Sequence, residues 1–298
     1  MEADGRGMQK THLVNSWINL IFSIIIVALV FISIVINLLS TPNEIVEEVG
    51  VKTFRMFTVL SNMLVGAASA MTIPFAVDGI RQRNYHLPRW IVTLTFVSVN
   101  CVALTFIVAL AVLSPQAGFY KMMLEGSNLF LHTVVPIISI LTFVFINSYH
   151  TVKFKTAFLA VSFVFIYAML YLVLAIIIGE EKGGWRDHYH FEELMPWYLI
   201  LAVVLLLSFG VACLLRVAHN CMHRRDKLAT ERYYQTAEEY DLPTVEDAIR
   251  KLANDNKKYD AGGEVTVPRR IIKFFEKKYQ SNKPMAYLCG IYLDEYLS

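Results

Sequence analysis

Six long apolar runs occupy the first three quarters of the chain, and they constrain its fold more than any other feature. Each run can cross a hydrocarbon core of about 30 Å, which takes roughly 20 helical residues. Backbone polar groups at that depth must pair within their own segment, so the runs are predicted to be helices. The predicted spans are Leu13–Leu39, Phe54–Val77, Trp90–Leu113, Leu129–Ile146, Thr156–Ile178 and Pro196–Val217. This pattern predicts an all-α polytopic membrane bundle of about six transmembrane helices.

The composition favours a membrane protein over a soluble domain. Of the 298 residues, 56% are hydrophobic and 17% are charged, and the mean hydropathy is +0.48. The first span is longer than a signal-peptide core and no small-residue cleavage site follows it, so we expect it to remain a membrane helix. No cofactor is expected, because there is no phosphate-cradling glycine motif and the cysteines lack metal-binding spacing.

Basic and acidic residues alternate along the loops that join the spans. Arginine and lysine precede the first span, lie between the second and third and between the fourth and fifth, and follow the last. The other loops are richer in glutamate and aspartate. Because cytoplasmic loops carry the excess of lysine and arginine, both termini are predicted to be cytoplasmic.

The chain is predicted to divide into a transmembrane six-helix bundle, 1–218, and a small, mostly helical cytoplasmic region, 219–298. In the second part, Pro268 is followed by a basic amphipathic helix. That helix either lies on the anionic leaflet or packs within a small domain, and we favour the domain. This region is a candidate site for a cytoplasmic protein partner. No nucleic-acid motif accompanies its charges, so nucleic acid is not expected as a partner.

Two polar pairs lie at helical spacing in these apolar spans. Thr58 and Asn62 belong to the second span, and Asn128 and His132 to the start of the fourth. Residues four apart share one helix face. Polar groups at membrane depth are costly and usually face a bundle interior, a cavity or a partner. Because both spans start at the same side of the membrane, we expect the two pairs to converge at one end of the bundle.

These residue types suit nucleophilic catalysis. A threonine hydroxyl such as that of Thr58 is a weak nucleophile until a base takes its proton, and His132 is the candidate base. Asn62 or Asn128 is the candidate orienting or oxyanion-stabilising group. Pro136 removes a backbone donor, and the carbonyl it frees is expected, with Asn128, to orient the imidazole. The structural alternative stays open, because Thr bonds its own helix and Asn or His bridges helices in many membrane proteins.

The loop after the fifth span is predicted to cap a cavity between the helices. The expected lining residues are Ser61, Tyr167, Tyr171, Trp185, His188 and His190. The two histidines have the His-x-His spacing of metal ligands. A third ligand is not recognisable, and so no metal site is predicted.

Three motifs together resemble a known family. They are Phe57-Thr58-x-x-Ser61-Asn62-x-Leu64, Asn128-x-x-x-His132-Thr133-x-x-Pro136, and Gly184-Trp185 followed by aromatic residues. The pattern resembles the androgen-induced membrane threonine hydrolase superfamily over roughly residues 15–215. Its members include multi-pass hydrolases of fatty-acid esters of hydroxy fatty acids and little-characterised bacterial integral-membrane proteins.

The resemblance implies that Thr58 and His132 are a catalytic pair acting on a lipid-like ester among membrane lipids. It also implies the plasma membrane of a bacterium. Two other classes of function remain open. One is a small-solute transporter with a polar intramembrane cavity, although no internal repeat or pair of broken spans is evident. The other is a ligand-binding sensor or scaffold whose output is the cytoplasmic region.

Overall fold

The protein folds as a bundle of helices that are long and apolar enough to span a membrane. The computed structural model describes residues 2–40, 49–82, 87–147, 150–187, 189, 196–237, 247, 249–250 and 289. Within those residues six helices are long and apolar enough to cross a membrane. They are α1 (Glu2–Leu39), α2 (Phe57–Gln82), α3 (Arg89–Ala117), α4 (Leu129–Ile146), α5 (Phe154–Ile178) and α6 (Trp197–Ala237). The prediction of a multi-pass bundle of six membrane helices is confirmed.

The second span begins later than the sequence predicted. The predicted start, Phe54, lies in a separate 3₁₀ helix, Gly50–Arg55. Met56 then takes an extended backbone conformation, with φ −84° and ψ 131°, and α2 begins at Phe57. This break matters for the site, because it places Thr58 in the first turn of a helix.

The last helix continues beyond the membrane span that is predicted to end at Val217, as the polar, helix-favouring composition of the following residues indicates. With 41 residues, α6 is about 60 Å long, twice the thickness of a hydrocarbon core. Most of the predicted region 219–298 lies outside the described residues, and its separate domain stays a prediction.

Consecutive spans alternate in direction, and α3 lies at the centre of the bundle. It packs against α2, α4, α5 and α6. The first turns of α2, α4 and α6 therefore lie at the same end as the last turns of α3 and α5. We call this the site end of the bundle.

A seam of small and polar residues on α1 fixes the neighbouring helices. The buried residues alternate in steps of three and four: Ser16, Asn19, Ser23, Ile26, Val30, Ser33 and Asn37. Small residues let helices approach closely in a membrane. The seam is tied to both flanks of α4, because Ser127 Oγ donates to Asn37 Oδ1 (2.7 Å) and Asn19 Nδ2 donates to Asn147 Oδ1 (2.6 Å). These bonds fix α4, which carries His132.

Pro136 distorts the start of α4. It has no N–H to give to the carbonyl of His132, and the preceding segment Leu129–Val134 is π-helical. The N–H of Val135 accordingly bonds the carbonyl of Phe130, five residues back. Such π turns inside helices occur frequently at functional sites.

Candidate active site

Thr58 and His132 meet between the first turns of α2 and α4. Thr58 Oγ1 lies 3.2 Å from His132 Nε2, and the two residues are only 9% and 6% exposed. This pairing follows from local structure. Threonines deeper in the helices bond the carbonyl four residues back, as Thr72 does to Ala68 (2.9 Å). Thr58 is the second residue of α2 and has no carbonyl of its own helix one turn behind it, so its hydroxyl is available to the imidazole.

The second ring nitrogen of His132 contacts the backbone. His132 Nδ1 lies 2.8 Å from the carbonyl oxygen of Met122, in the short helix Phe119–Met123 that precedes α4. A carbonyl can only accept, so a neutral imidazole must carry its proton on Nδ1. Nε2 is then the unprotonated nitrogen and accepts the hydrogen bond from Thr58. This is the tautomer that a general base requires.

Asn62 holds α2 against α4 at the site. Its amide nitrogen donates to the carbonyl of Thr58 (2.7 Å) and to that of Leu131 (3.1 Å), the residue before His132. The side chain is fully buried. Both amide protons are therefore used by backbone carbonyls that flank the Thr58–His132 pair. This corrects the expectation that Asn62 donates to an oxyanion; in the structure it positions the two helices.

Asn128 does not reach the imidazole. Its amide nitrogen donates instead to the carbonyl of Lys121 (3.1 Å), and the side chain is half-buried. The expected role of Asn128 as an orienting or oxyanion group is therefore corrected. The Met122 carbonyl provides the orienting contact, because the short helix before α4 presents it directly to Nδ1.

Ser61 lies behind the site and does not line the cavity. Its hydroxyl is 3.0 Å from the carbonyl of Thr58 and 3.1 Å from Thr105 Oγ1 on α3. Thr105 itself lines the cavity. The sequence analysis therefore identified the helix face that points toward the site, but the cavity wall at this point is formed by Thr105 and not by Ser61.

A cavity of about 110 Å³ adjoins the Thr58–His132 pair at the site end of the bundle. Its wall is almost entirely apolar, with Leu104, Val108, Val164, Ala168, Leu201 and Val204 among the lining residues. The polar exceptions are Thr58, Thr105, His132 and three tyrosines, Tyr167, Tyr171 and Tyr189. The predicted lining by Tyr167 and Tyr171 is thus observed. The cavity suits an apolar chain that carries an uncharged polar group at one end.

Aromatic residues after α5 cover this end of the cavity. The hydroxyl of Tyr171 donates to Asp187 Oδ1 (2.6 Å) and its ring lies 5.3 Å from that of Tyr189. Trp185 packs on Tyr171 with ring centroids 6.4 Å apart, and the Arg55 guanidinium lies 5.9 Å from the Trp185 ring. Trp185 is therefore part of the cap rather than of the cavity wall.

The cap is anchored to the end of α5 by its backbone. The N–H of Gly184 donates to Gly179 O and that of Trp185 donates to Leu174 O, both at 2.8 Å. A Cβ atom on Gly184 would lie 2.2 Å from the carbonyl oxygen of Leu174. Only glycine fits this position, which explains the Gly-Trp motif of the sequence.

Two residues of the site were not found by sequence reasoning. Met122 acts through its backbone carbonyl, for which a sequence carries no signal. Tyr189 is fixed by contacts to Phe57 and Tyr171, which lie 132 and 18 positions away. The aromatic character of the loop was its only sequence signal. The predicted cavity residues His188 and His190 lie outside the described residues.

The site at this end of the bundle therefore combines a base of fixed tautomer, a hydroxyl in contact with it, and an apolar cavity. Comparisons of the chain with protein-family models, with curated proteins and with solved structures find no match.

Proposed function

We propose that this chain is an integral-membrane hydrolase of lipid-like esters that uses Thr58 as nucleophile and His132 as general base. One observation carries the proposal: Thr58 Oγ1 lies 3.2 Å from the ring nitrogen of His132 whose lone pair is free to accept the proton. The resemblance of the sequence motifs to the membrane threonine hydrolases supports the same pair.

The chemistry proceeds in two halves. Thr58 Oγ attacks the ester carbonyl carbon while His132 Nε2 takes the hydroxyl proton. The tetrahedral intermediate collapses to a Thr58 acyl ester, and the imidazolium returns the proton to the leaving alcohol. A water molecule, deprotonated by the same nitrogen, then attacks the acyl carbon, the bond between Thr58 Oγ and that carbon breaks, and the imidazolium returns the proton to Thr58 Oγ. The second half therefore releases a carboxylic acid and regenerates the threonine.

The wall of the cavity supports an acyl chain as the group that is bound. An acyl chain that moves from the bilayer into this cavity passes between two apolar surroundings, so its binding requires no transfer through water. Trp197 lines the cavity and is also 48% exposed, so the cavity reaches the outer surface of the bundle beside α6. We infer that the substrate enters from the bilayer between α3 and α6.

The proposal also includes the orientation of the chain and the membrane in which it lies. From the loop charges we infer that both termini are cytoplasmic. The resemblance to the bacterial members of the superfamily implies that the membrane is the plasma membrane of a bacterium. Residues 219–298 would then be available to a cytoplasmic protein partner. A reporter enzyme that is active only outside the cytoplasm, fused after Ser298, is expected to stay inactive.

Labelling with a fluorophosphonate probe in detergent tests the proposed nucleophile. The probe forms an oxygen–phosphorus bond with an activated hydroxyl and releases fluoride. We expect wild type and Thr58→Ser to be labelled and Thr58→Ala and His132→Ala to be unlabelled. Thr72→Ala is the matched control, because Thr72 is a buried threonine of α2 whose hydroxyl bonds its own helix. Full labelling of folded Thr58→Ala would contradict Thr58 as the nucleophile, and no labelling of folded wild type would favour a ligand-binding or transport role.

A further inference from the structure

The first turn of α2 has two backbone N–H groups without an acceptor in the helix. The carbonyl of Met56 accepts the hydrogen bonds of Val59 (3.1 Å) and Leu60 (3.2 Å). The N–H groups of Phe57 and Thr58 precede the first helical acceptor and must find partners elsewhere. They also carry the partial positive charge of the helix N-terminus.

The N–H group of Phe57 faces the hydroxyl oxygen of Tyr189. Phe57 N donates to Tyr189 Oη at 3.0 Å. This bond occupies a lone pair of the phenol, so the O–H of Tyr189 points away from the Phe57 N–H. Hydrogen bonds accepted by a hydroxyl strengthen the bond it donates. Through this hydrogen bond, the positive N-terminus of α2 polarises the hydroxyl group of Tyr189, which lines the cavity.

Tyr189 is held in place from its other side. Its backbone N–H donates to the Tyr171 hydroxyl (3.3 Å), which is itself bonded to Asp187. The neighbouring hydroxyl of Tyr167, which also lines the cavity, donates to the carbonyl of Arg55 (2.8 Å). The residue is preorganised before a substrate arrives.

The phenol remains protonated at neutral pH. Burial raises the pKa of Tyr189 above its ordinary value, because the anion loses its hydration. A phenol in this state can donate a hydrogen bond to a developing negative charge without giving up its proton. Tyrosine hydroxyls serve this purpose in the oxyanion sites of other enzymes.

We propose that the Tyr189 hydroxyl is the oxyanion donor of this site, an inference that rests on the proposed ester hydrolysis. When Thr58 Oγ bonds the carbonyl carbon, the carbonyl π electrons move to oxygen, and Tyr189 donates its hydrogen bond to that oxygen. Tyr189 keeps its own proton, while the proton of Thr58 passes to His132 Nε2. The assignment supplies the donor that the two asparagines do not, since the amide protons of Asn62 and the contact of Asn128 go to backbone carbonyls.

The first test is hydrolysis of p-nitrophenyl butyrate and p-nitrophenyl octanoate by full-length protein in detergent. Removing one oxyanion donor costs about 10²- to 10³-fold in kcat. We expect this loss in Tyr189→Phe, with KM changed less than threefold. Tyr198→Phe is the matched control, because Tyr198 is 56% exposed on α6 and lies outside the cavity. It is expected to keep the wild-type kcat.

A second pair of variants tests the polarising N–H of Phe57. Phe57 is the first residue of α2, where proline is tolerated, and the extended Met56 before it suits proline. Phe57→Pro removes the aromatic ring and the N–H, whereas Phe57→Leu removes only the ring. We expect kcat of the proline variant to be about tenfold below that of the leucine variant, because one hydrogen bond to the phenol is lost.

The outcomes separate this inference from the proposed function. Active wild type with an unchanged kcat in Tyr189→Phe overturns the role of Tyr189 and leaves the hydrolase intact. Equal kcat values for Phe57→Pro and Phe57→Leu overturn the polarising role of α2. A folded wild type that hydrolyses neither ester overturns the proposed function and this inference together. If Tyr189→Phe fails to fold, the Phe57 pair decides.

Discussion

The Nδ1 atom of His132 lies 2.8 Å from the carbonyl oxygen of Met122, and this contact determines which ring nitrogen faces Thr58. Met122 lies in the short helix before α4, and His132, ten positions later, lies in the π turn that opens α4. The carbonyl fixes both the orientation of the His132 ring and the position of its proton on Nδ1. A single backbone atom therefore fixes tautomer and orientation, two of the tasks of the aspartate in many hydrolytic triads, without supplying its negative charge.

Replacing His132 by asparagine separates the two roles of the imidazole, in which Nε2 is the base and Nδ1 donates to the Met122 carbonyl. The asparagine amide nitrogen stands where Nδ1 stands and can still donate to Met122, but nothing replaces Nε2. We expect ester hydrolysis to fall about 10²- to 10⁴-fold in both His132→Asn and His132→Ala, which is the usual contribution of a general base. Thermal unfolding in detergent is expected to show a loss of about 1 kcal/mol in the alanine variant alone. Equal rates for His132→Asn and wild type would refute the role of Nε2.

Asn62 provides a test of positioning. Asn62→Ala removes one side-chain hydrogen bond from each of the buried carbonyls of Thr58 and Leu131, which destabilises the protein by about 2 kcal/mol. We expect kcat to fall more than tenfold with little change in KM, because α2 and α4 lose their bridge beside the reacting atoms. Asn128→Ala removes the same group from a half-buried position and is expected to change kcat less than threefold. Steady-state kinetics of the two variants decide the comparison; similar losses would mean that Asn128 also acts at the site.

The spans and the Thr58–His132 pair could be predicted because their signals are local. Apolar length identifies a membrane helix, and a polar residue within it must face the interior. The prediction that Asn128 orients the imidazole was wrong for a different reason. Its spacing to His132 was correct, but the carbonyl groups at the end of the helix Phe119–Met123 compete for both side chains. Sequence spacing does not reveal such a competition.

The start of α2 and the role of Tyr189 depend on tertiary structure. Phe54 is apolar enough to belong to the span, yet the extended conformation of Met56 separates it from α2. The N–H group of Phe57, which this break exposes, then donates to a residue 132 positions later in the chain. A one-dimensional pattern cannot show which loop side chain arrives at a given helix end.

Ala168 is expected to set the length of the acyl chain. It lines the cavity between Tyr167 and Tyr171 on α5, where a larger side chain would fill space. In Ala168→Phe, a substrate that loses four buried methylenes loses about 3 kcal/mol, or about a hundredfold in kcat/KM. We expect this loss for p-nitrophenyl octanoate and not for p-nitrophenyl acetate. Leu170→Phe, on the outer face of α5 and 45% exposed, is the control. Parallel losses for both esters would argue against a chain-binding cavity.

Gly184→Ala tests whether the cap must stay attached to α5. The added Cβ would lie 2.2 Å from the carbonyl oxygen of Leu174, so the turn must move and its two backbone bonds to α5 weaken. Tyr189 follows five residues later, and we expect kcat to fall at least tenfold as its hydroxyl leaves the first turn of α2. Gly210→Ala is the matched control in α6, where nothing lies within 4 Å of an added Cβ. Alanine there is expected to raise stability by about 0.5–1 kcal/mol without altering the rate. Ester hydrolysis and thermal unfolding of both variants test this prediction, and an unchanged kcat in Gly184→Ala would show that catalysis does not depend on the cap.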